Sequence, residues 1–306
     1  MVGTPAGPGV SGEADDRVNE LHERILSWYA VNARDLPWRD PDCSPWGVLV
    51  SEVMAQQTPL ARVEPIWREW MERWPTPADL AADSPGEAVR AWGRLGYPRR
   101  ALRLHEAATA IVERFDGVVP KSPEDLVGLP GVGTYTQAAV RAFAFGARST
   151  VIDTNVRRVQ ARVVTGVEHA APSLTRAEHD LATSLLPTDD VSAATWNVAV
   201  MELGALVCTA RTPQCGICPV QDLCRWVTRG RPAYDGPPRR TQAWAGTDRQ
   251  VRGEIVQRLR DSRTPLPRSA LLGAGPDPAQ VERCLSTLVD DGLIEPLPAD
   301  TFALPA

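Results

Sequence analysis

Four cysteines lie within seventeen consecutive residues, and their spacing is C-x6-C-x2-C-x5-C. Iron–sulfur clusters are commonly held by four cysteine thiolates. A zinc ribbon instead pairs two C-x2-C knuckles ~15–20 residues apart, and only one such knuckle is present here. The spacing therefore favours a [4Fe-4S] cluster, with structural zinc or unligated cysteines as alternatives. The predicted ligands are Cys208, Cys215, Cys218 and Cys224.

Two carboxyl groups stand in contexts that suit proton transfer. Glu52 lies within the apolar run Val48–Met54, where loss of hydration would favour the protonated form near neutral pH. The alternative for a single glutamate on a helix is a solvent-facing position. Asp153 directly precedes a predicted helix, Thr154–Val164, and its position alone indicates an N-cap.

A tight glycine turn, L-P-G-V-G at residues 129–133, joins two predicted helices. The first begins after Ser122, with proline at the next position and acids in the first turn. The second runs from Thr134 to a C-terminal glycine, Gly146. Such a turn leaves backbone N–H groups at a helix N-terminus, which suits a phosphate and would position DNA without reading its sequence. An ordinary corner between two helices is the alternative.

The elements that must position these groups are mainly helical. Apolar residues recur at spacings of three and four from Asp16 to about Trp226, and strand-like alternation is scarce. Residues 229–246 hold several prolines and glycines and indicate a linker. Beyond it, two helix candidates, Thr247–Arg260 and Pro278–Asp290, precede a short proline-broken segment from Leu293 to Leu304. This order predicts a small winged-helix-like module.

Charge and hydropathy limit the class of protein. The net charge of −5 argues weakly against a polyanionic partner. However, the segment Gly86–Arg162 has twelve basic and seven acidic residues, which fits either a solvated surface or a DNA-binding one. No apolar run approaches the ~18 residues of a membrane span, and the Gly- and Pro-rich residues 1–15 lack the pattern of a signal peptide. We expect a cytoplasmic protein with no membrane partner and a disordered N-terminus over residues 1–15.

Taken together, the glycine turn, the segment Val151–Arg157 and the four-cysteine loop resemble the endonuclease III superfamily of helix-hairpin-helix DNA glycosylases. Three further segments are similar to its MutY family of adenine DNA glycosylases. They are Leu36–Arg39, Ser51–Thr58 and Gly93–Tyr97. The resemblance covers about residues 17–226.

The resemblance implies a mainly α, two-lobed glycosylase fold. An iron–sulfur cluster domain would combine residues 16–40 and 150–228, and a six-helix barrel domain with the helix-hairpin-helix would span residues 41–149. The linker, 229–246, would lead to the winged-helix-like C-terminal module, 247–306.

The resemblance also assigns catalytic roles. Cleaving the bond between adenine and deoxyribose requires an acid at the base and a carboxylate beside the sugar cation, as in glycoside hydrolysis. Glu52 is implied to protonate adenine N7, and Asp153 to stabilise the oxocarbenium ion and help to activate water. Tyr135 and Asn155 complete the predicted catalytic group.

The implied substrate is double-stranded DNA in which adenine is paired with 8-oxoguanine or guanine, bound by a monomer at the nucleoid. The target base must leave the duplex, and side chains must fill the gap. The predicted DNA contacts are Gln57 and Tyr97 as wedges, Trp38 and Arg39 at the adenine pocket, and Gly131, Gly133 and Arg157 at phosphates.

A glycosylase that also cleaves the strand needs a lysine amine after the glycine turn to form a Schiff base. Tyr135 occupies the matching position, and the only lysine of the chain, Lys121, precedes the turn. We therefore expect base release without strong strand cleavage. Two alternatives remain open: an endonuclease III-like glycosylase for oxidised pyrimidines, and a non-catalytic iron–sulfur winged-helix regulator.

The chain departs from the family at several positions. Ala55 replaces a leucine beside the adenine pocket, and Pro98 replaces a tyrosine. Val198 replaces a polar residue that commonly contacts adenine, and Thr154 replaces a glycine. The largest departure is the tail, because the family commonly has a larger Nudix-like domain that checks for 8-oxoguanine. Only sixty residues follow Gly246, and from Thr247 onward seven arginines stand against nine acidic residues, which does not predict a DNA clamp.

Overall fold

The structure, a computed structural model, describes residues 10–236 and 246–306. The chain forms two compact units. The first combines its N-terminal residues up to Asp35 with the chain from Ala138 to residue 236, and the second combines Leu36–Gln137 with residues 246–306. The predicted linker includes residues 237–245, which lie outside the described residues. The identities given to the domains stay predictions.

The described residues are mainly helical, as predicted, and none of their helices has the length and hydropathy needed to cross a membrane. Short 3-10 turns lie at Pro37–Arg39 and Cys215–Ile217, and a π turn lies at Ala161–Thr165. The helices that precede the C-terminal module are α1 (Val10–Asn32), α2 (Pro45–Ala55), α3 (Leu60–Arg73), α4 (Pro77–Ala82), α5 (Pro85–Ala91), α6 (Arg99–Phe115), α7 (Pro123–Val127), α8 (Thr134–Phe145), α9 (Thr154–Gln160), α10 (Arg176–Ser184), α11 (Asp190–Leu206) and α12 (Arg225–Thr228).

Several helices of the second unit begin in the same way, with a Ser or Thr N-cap followed by proline. In each, the capping hydroxyl accepts a hydrogen bond from a backbone N–H of the first turn, which satisfies a donor that has no partner within the helix. Proline at the first position lacks an N–H and already has a helical φ. These caps are Ser44 of α2, Thr76 of α4, Ser84 of α5 and Ser122 of α7.

The N-terminal prediction needs a correction. α1 begins at Val10, so a helix replaces the disorder predicted for residues 10–15, while residues 1–9 lie outside the described residues. α1 packs on α11 through Leu21 and Ile25, which belong to the buried core of the first unit.

The core of the second unit contains a cluster of tryptophans. Trp70 meets Trp74 and Trp92 edge-on, with ring centroids 4.9 and 5.6 Å apart. Such edge-to-face pairs stabilise a core beyond the burial of their area. Trp67, Trp70 and Trp74 recur at helical spacing in the sequence, and all three are buried.

The C-terminal module consists of α13 (Asp248–Asp261), β1 (Leu266–Pro267), α14 (Arg268–Leu272), α15 (Pro278–Asp290), β2 (Glu295–Leu297) and β3 (Thr301–Ala303). The strands form an antiparallel sheet in the order β1-β3-β2. Helices followed by a short hairpin are the element order on which the prediction of a winged-helix-like module rests. The end of the chain reaches α5, where the N–H of Gly86 donates to the Pro305 carbonyl at 2.8 Å.

Candidate active site and iron–sulfur centre

Glu52 lies on α2, whose residues from Trp46 to Met54 are all buried. Glu52 itself is 8% exposed, so the solvent-facing alternative is wrong. Its Oε2 accepts a hydrogen bond from the Tyr135 hydroxyl at 3.0 Å, and Gln56 Nε2 donates to the Thr136 hydroxyl at 3.2 Å. Two side-chain hydrogen bonds therefore join α2 to α8, and the structure brings together two of the predicted catalytic residues.

The C-terminal end of α2 is held by Arg100, a residue that sequence analysis missed. Its Nη1 donates to the carbonyls of Val53, Met54 and Gln56 at 2.9, 3.2 and 2.6 Å. The last carbonyls of a helix have no partner within it, and a cation is favourable there. Burial lowers the pKa of Arg100 to about 10, which leaves the guanidinium charged at neutral pH. The helix that carries Glu52 is thus fixed at both ends.

Asp153 caps α9 in the first unit, as its position predicts. Its Oδ1 accepts from the N–H of Val156 at 2.7 Å, and its Oδ2 accepts from Asn155 Nδ2 at 2.6 Å. Burial has the largest influence on the pKa of Asp153 and raises it, while these hydrogen bonds oppose the shift. A carboxylate has about four acceptor sites, so capping leaves capacity for a chemical role.

Arg158 connects Asn155 to the four-cysteine loop. Its Nη2 donates to Asn155 Oδ1 at 2.7 Å and to the Gly204 carbonyl at 2.6 Å. Its Nε donates to the carbonyl of Cys208 at 2.7 Å. A continuous chain of hydrogen bonds therefore runs from Asp153 through Asn155 and Arg158 to the backbone of a predicted cluster ligand.

Gly204 allows α11 to approach the start of α9 closely. A Cβ at this position would lie 2.7 Å from Asn155 Cβ and 3.0 Å from the Asn155 carbonyl oxygen. Any other residue would therefore displace the backbone next to Asp153. Sequence analysis did not single out Gly204, because a glycine inside a helix pattern shows no partner in the linear sequence.

All four predicted cysteine ligands line one cavity, and none of the four forms a disulfide bond. Within residues 10–236 and 246–306, no three His, Cys, Asp or Glu side chains converge closely enough to hold a single metal ion. In a cubane cluster each thiolate binds a different iron, so its ligands surround a larger group. The residues that line this cavity therefore fit a [4Fe-4S] cluster.

Arg162 is a buried cation beside these cysteines, and it is 1% exposed. Its Nη1 lies 3.5 Å from Cys208 Sγ and donates to the Thr209 carbonyl at 2.7 Å. Its guanidinium also packs over the ring of Trp226, 4.9 Å from the centroid. Its positive charge offsets part of the negative charge that four thiolates bring.

The helix-hairpin-helix turn lies between α7 and α8, and its two glycines, Gly131 and Gly133, have different structural roles. Gly131 has a φ of +76°, and a Cβ there would lie 2.7 Å from Arg103 Cβ on α6, so both conformation and packing require glycine. Gly133 is exposed, and a Cβ would meet no described atom within 4 Å. Its missing side chain leaves the backbone at the start of α8 open to a partner.

Both predicted wedge residues have left-handed backbone conformations, with a φ of 53° at Gln57 and 49° at Tyr97. Such conformations are strained for residues other than glycine and concentrate at functional sites. Both residues are exposed and line the same cavity. The Thr58 hydroxyl donates to the Leu95 carbonyl at 3.3 Å, which ties the two wedge loops together.

The remaining predicted contacts differ in their support. Trp38 and Arg39 share a 3-10 turn, and Trp38 packs edge-on against Trp67 with centroids 5.7 Å apart. The predicted phosphate contact by Arg157 gains no support, because its Nη2 pairs with Glu178 at 2.8 Å and also donates to two nearby carbonyls. A phosphate would have to compete with that carboxylate.

Comparisons with known proteins agree with these features. A model of the HhH-GPD superfamily of base excision DNA repair proteins matches residues 50–182, and a model of the iron-sulfur binding domain of endonuclease III matches residues 208–224. An adenine DNA glycosylase of Mycolicibacterium smegmatis is 53% identical over 281 residues, which cover 92% of this chain and 94% of that protein. Since only 246 residues precede Thr247, that match extends into the C-terminal module.

More distant proteins share the fold. The adenine DNA glycosylase of Homo sapiens is 43% identical over 217 residues, which cover 68% of this chain and 39% of the human protein. The structure of a thermostable thymine-DNA glycosylase matches with a TM-score of 0.64 and 27% identity, covering 71% of this chain and 99% of that one. This chain therefore belongs to the adenine DNA glycosylases, helix-hairpin-helix enzymes of base excision repair that hydrolyse N-glycosyl bonds and carry a [4Fe-4S] cluster.

Proposed function

We propose that this glycosylase releases adenine paired with 8-oxoguanine or guanine in duplex DNA, and that it does so by hydrolysis without cleaving the strand. The observation that carries the proposal is the hydrogen bond between Tyr135 and Glu52. It places a buried carboxyl group beside the residue that stands where strand cleavage would require a lysine amine. A single chain carries every residue of this mechanism, so we expect a monomer to act at the nucleoid.

Glu52 acts as the general acid. Protonation of N7 by its carboxyl group allows adenine to leave as a neutral base, and the electron pair of the glycosidic bond departs with it. The Tyr135 hydroxyl donates to Oε2 and therefore fixes the orientation of the carboxyl group. Arg100 and Ser44 hold the helix that presents it.

Asp153 acts on the sugar. Its carboxylate stabilises the positive charge of the oxocarbenium ion and accepts a proton from the water that attacks C1′. Asn155 holds Oδ2 at 2.6 Å, and the Val156 N–H holds Oδ1, so both oxygens have fixed positions before substrate binds. The products of hydrolysis are free adenine and a strand with an abasic sugar.

DNA is held by residues outside the chemistry. Gln57 and Tyr97 fill the space that the extruded adenine leaves, Trp38 and Arg39 line the adenine pocket, and the open backbone at Gly131 and Gly133 contacts a phosphate. The four cysteines would hold the [4Fe-4S] cluster, whose iron–sulfur bonds crosslink the loop of residues 208–224.

The test is to incubate the protein with duplexes that pair adenine with 8-oxoguanine, guanine or thymine, and to quantify free adenine and strand breaks before and after alkali. We expect release from the first two duplexes, with breaks only after alkali. Breaks before alkali would contradict hydrolysis without strand cleavage. Release of oxidised pyrimidines but not adenine would contradict the substrate assignment.

Matched variants test the two carboxyl groups. Glu52→Gln and Asp153→Asn should each abolish adenine release while duplex binding survives. The control for Glu52 is Glu64→Gln, which alters an exposed ion pair with Arg68 on α3. The control for Asp153 is Asp189→Asn, because Asp189 is also an N-cap, accepting from Ser192 at the start of α11. Turnover retained in both active-site variants would refute the assigned roles.

A further inference from the structure

A large basic cavity lies between the wedge loops and the C-terminal module. Its volume is about 1110 Å³, and Gln57 and Tyr97 line it together with residues of α13 and of the segment that follows α14. Among its described lining residues, six arginines stand against one acidic residue, Glu254. The arginines are Arg62, Arg94 and Arg99 from the first part of the unit, and Arg249, Arg252 and Arg260 from the module.

Some of these charges are compensated within the protein and others are not. Asp291 pairs with Arg99 at 3.1 Å and with Arg252 at 2.5 Å. Arg62 and Arg94 are exposed and have no carboxylate partner in the described parts of the chain. The rim of the cavity next to the wedge loops therefore keeps an excess of positive charge.

Arg249 directly links the module to a wedge residue. Its guanidinium carbon lies 4.4 Å from the centroid of the Tyr97 ring, within the range of a cation–π contact. Arg249 is exposed in the first turn of α13, so it can approach a ligand that contacts Tyr97. The planar guanidinium group has the geometry to bind a phosphate.

We propose that the winged-helix-like module completes the DNA-binding surface at the wedge, with Arg249 and Arg94 contacting phosphates of the duplex beside the extruded adenine. The ligand is the DNA backbone, because clustered guanidiniums complement its charge and Arg249 stacks on a residue proposed to enter the duplex. The inference deepens the proposed function but depends only on DNA binding at the wedge. It assigns the module DNA contacts that do not depend on the base opposite adenine.

The overall composition of the module does not indicate this basic surface. Its excess of acidic residues is a property of the whole segment, whereas Arg249 and Arg252 lie near the start of α13 and line the cavity. Each phosphate contact lowers the slope of log affinity against log salt by about 0.9. Loss of one arginine should therefore change both affinity and salt dependence.

The experiment measures binding to a duplex whose adenosine carries a 2′-fluorine, which resists cleavage because fluorine destabilises the sugar cation. Affinity is measured across a salt series for wild type, Arg249→Gln, Arg94→Gln and Arg249→Lys, with 8-oxoguanine, guanine or thymine opposite adenine. Arg283→Gln is the matched control, since Arg283 is an exposed arginine of the same module that pairs with Asp248 and does not line the cavity. Thermal midpoints check that the variants are folded.

We expect Arg249→Gln and Arg94→Gln each to bind about tenfold more weakly with all three duplexes, as loss of one charge-assisted hydrogen bond predicts. Each salt slope should become shallower by about 0.9, and Arg249→Lys should keep the slope of wild type. Unchanged affinity and slope in both glutamine variants, an equal loss in Arg283→Gln, or a loss confined to one opposite base would overturn the proposal. Because the duplex is not cleaved, a failure here is distinct from a failure to release adenine.

Discussion

Arg158 and Cys208 are joined by a hydrogen bond of 2.7 Å from Nε to the backbone carbonyl. The same guanidinium holds Asn155, whose amide holds Asp153. The backbone of the cluster loop therefore helps to set the position of the carboxylate that we assign to the sugar cation.

Arg158→Gln should lower the rate of adenine release by about tenfold or more, because the charge-assisted hydrogen bond that holds Asn155 contributes ~1.5–3 kcal/mol. The visible absorbance of the cluster per chain should also fall. The measurements are single-turnover kinetics and iron content. Arg157→Gln is the adjacent control, since Arg157 pairs with Glu178. Unchanged kinetics in Arg158→Gln would show that Asn155 and Asp153 do not need this support.

Gly204→Ala should destabilise the protein, although replacing glycine with alanine usually stabilises a helix. Helix propensity alone would stabilise the fold by about 0.5–1 kcal/mol. The added Cβ would lie 2.7 Å from Asn155 Cβ, and crowding of this kind costs ~1–3 kcal/mol. We expect a lower thermal midpoint and adenine release reduced by at least about tenfold. Gly253→Ala in α13, where a Cβ meets no described atom within 4 Å, is the stability control and should raise the midpoint.

Asp153→Asn should stabilise the folded protein at neutral pH while it abolishes activity. Burial raises the pKa of Asp153, so the folded state is penalised wherever this carboxyl is ionised. As pH falls through the raised pKa, wild type takes up a proton, the penalty disappears and the advantage of the asparagine variant shrinks. Denaturant unfolding across a pH series measures this difference.

Asp189→Asn is the control for that titration. It should lower the stability of the folded protein at neutral pH, which is the opposite of the effect expected for Asp153→Asn. A backbone hydrogen bond from Ser192 lowers the pKa of Asp189, so its ionised form stabilises the folded state above the unfolded pKa. That stabilisation is lost as pH falls through the lowered pKa. If both variants change stability in the same direction at neutral pH, burial does not control the titration of Asp153.

Gly86→Ala should loosen the C-terminal module. A Cβ at Gly86 would clash with the Pro305 carbonyl oxygen and lie 3.0 Å from Leu304 Cβ, and the hydrogen bond to Pro305 would be disturbed. We expect a loss of about 1–3 kcal/mol in the free energy of unfolding and faster proteolysis of the module. The salt slope of DNA binding should also become shallower, because Arg249 would no longer be held at Tyr97. An unchanged proteolysis rate would show that this end of the chain does not anchor the module.

Local sequence signals predicted the elements well. Ser122 before proline starts α7, Gly146 ends α8 with a φ of +63°, and α15 runs from Pro278 to Asp290 as its pattern indicates. Each of these signals acts within one helical turn, where a cap or a glycine satisfies backbone groups directly. The convergence of the four cysteines on one cavity was also predictable, because their spacing lies within one loop.

Contacts between distant segments could not be predicted in this way. The partners of Arg158 on Gly204 and Cys208 lie 46 and 50 residues away in sequence, and Arg249 meets Tyr97 only in the folded unit. The left-handed backbone conformation of Gln57 could not be predicted, because the sequence has no glycine at this position. For such residues the sequence shows a charge or an amide but not the tertiary contact that gives it a role.

The first unit joins the two ends of a long stretch of chain, since α1 packs on α11 and Arg24 pairs with Asp222 at 2.7 Å. During synthesis α1 leaves the ribosome well before these partners, whereas α2 to α7 are contiguous and can begin to pack together as they emerge. The amphipathic α1 must therefore stay soluble without its core until the cysteine loop has been translated. The four cysteines that would hold the cluster can converge on their shared cavity only after residue 224 has been translated, which is late in the synthesis of this unit.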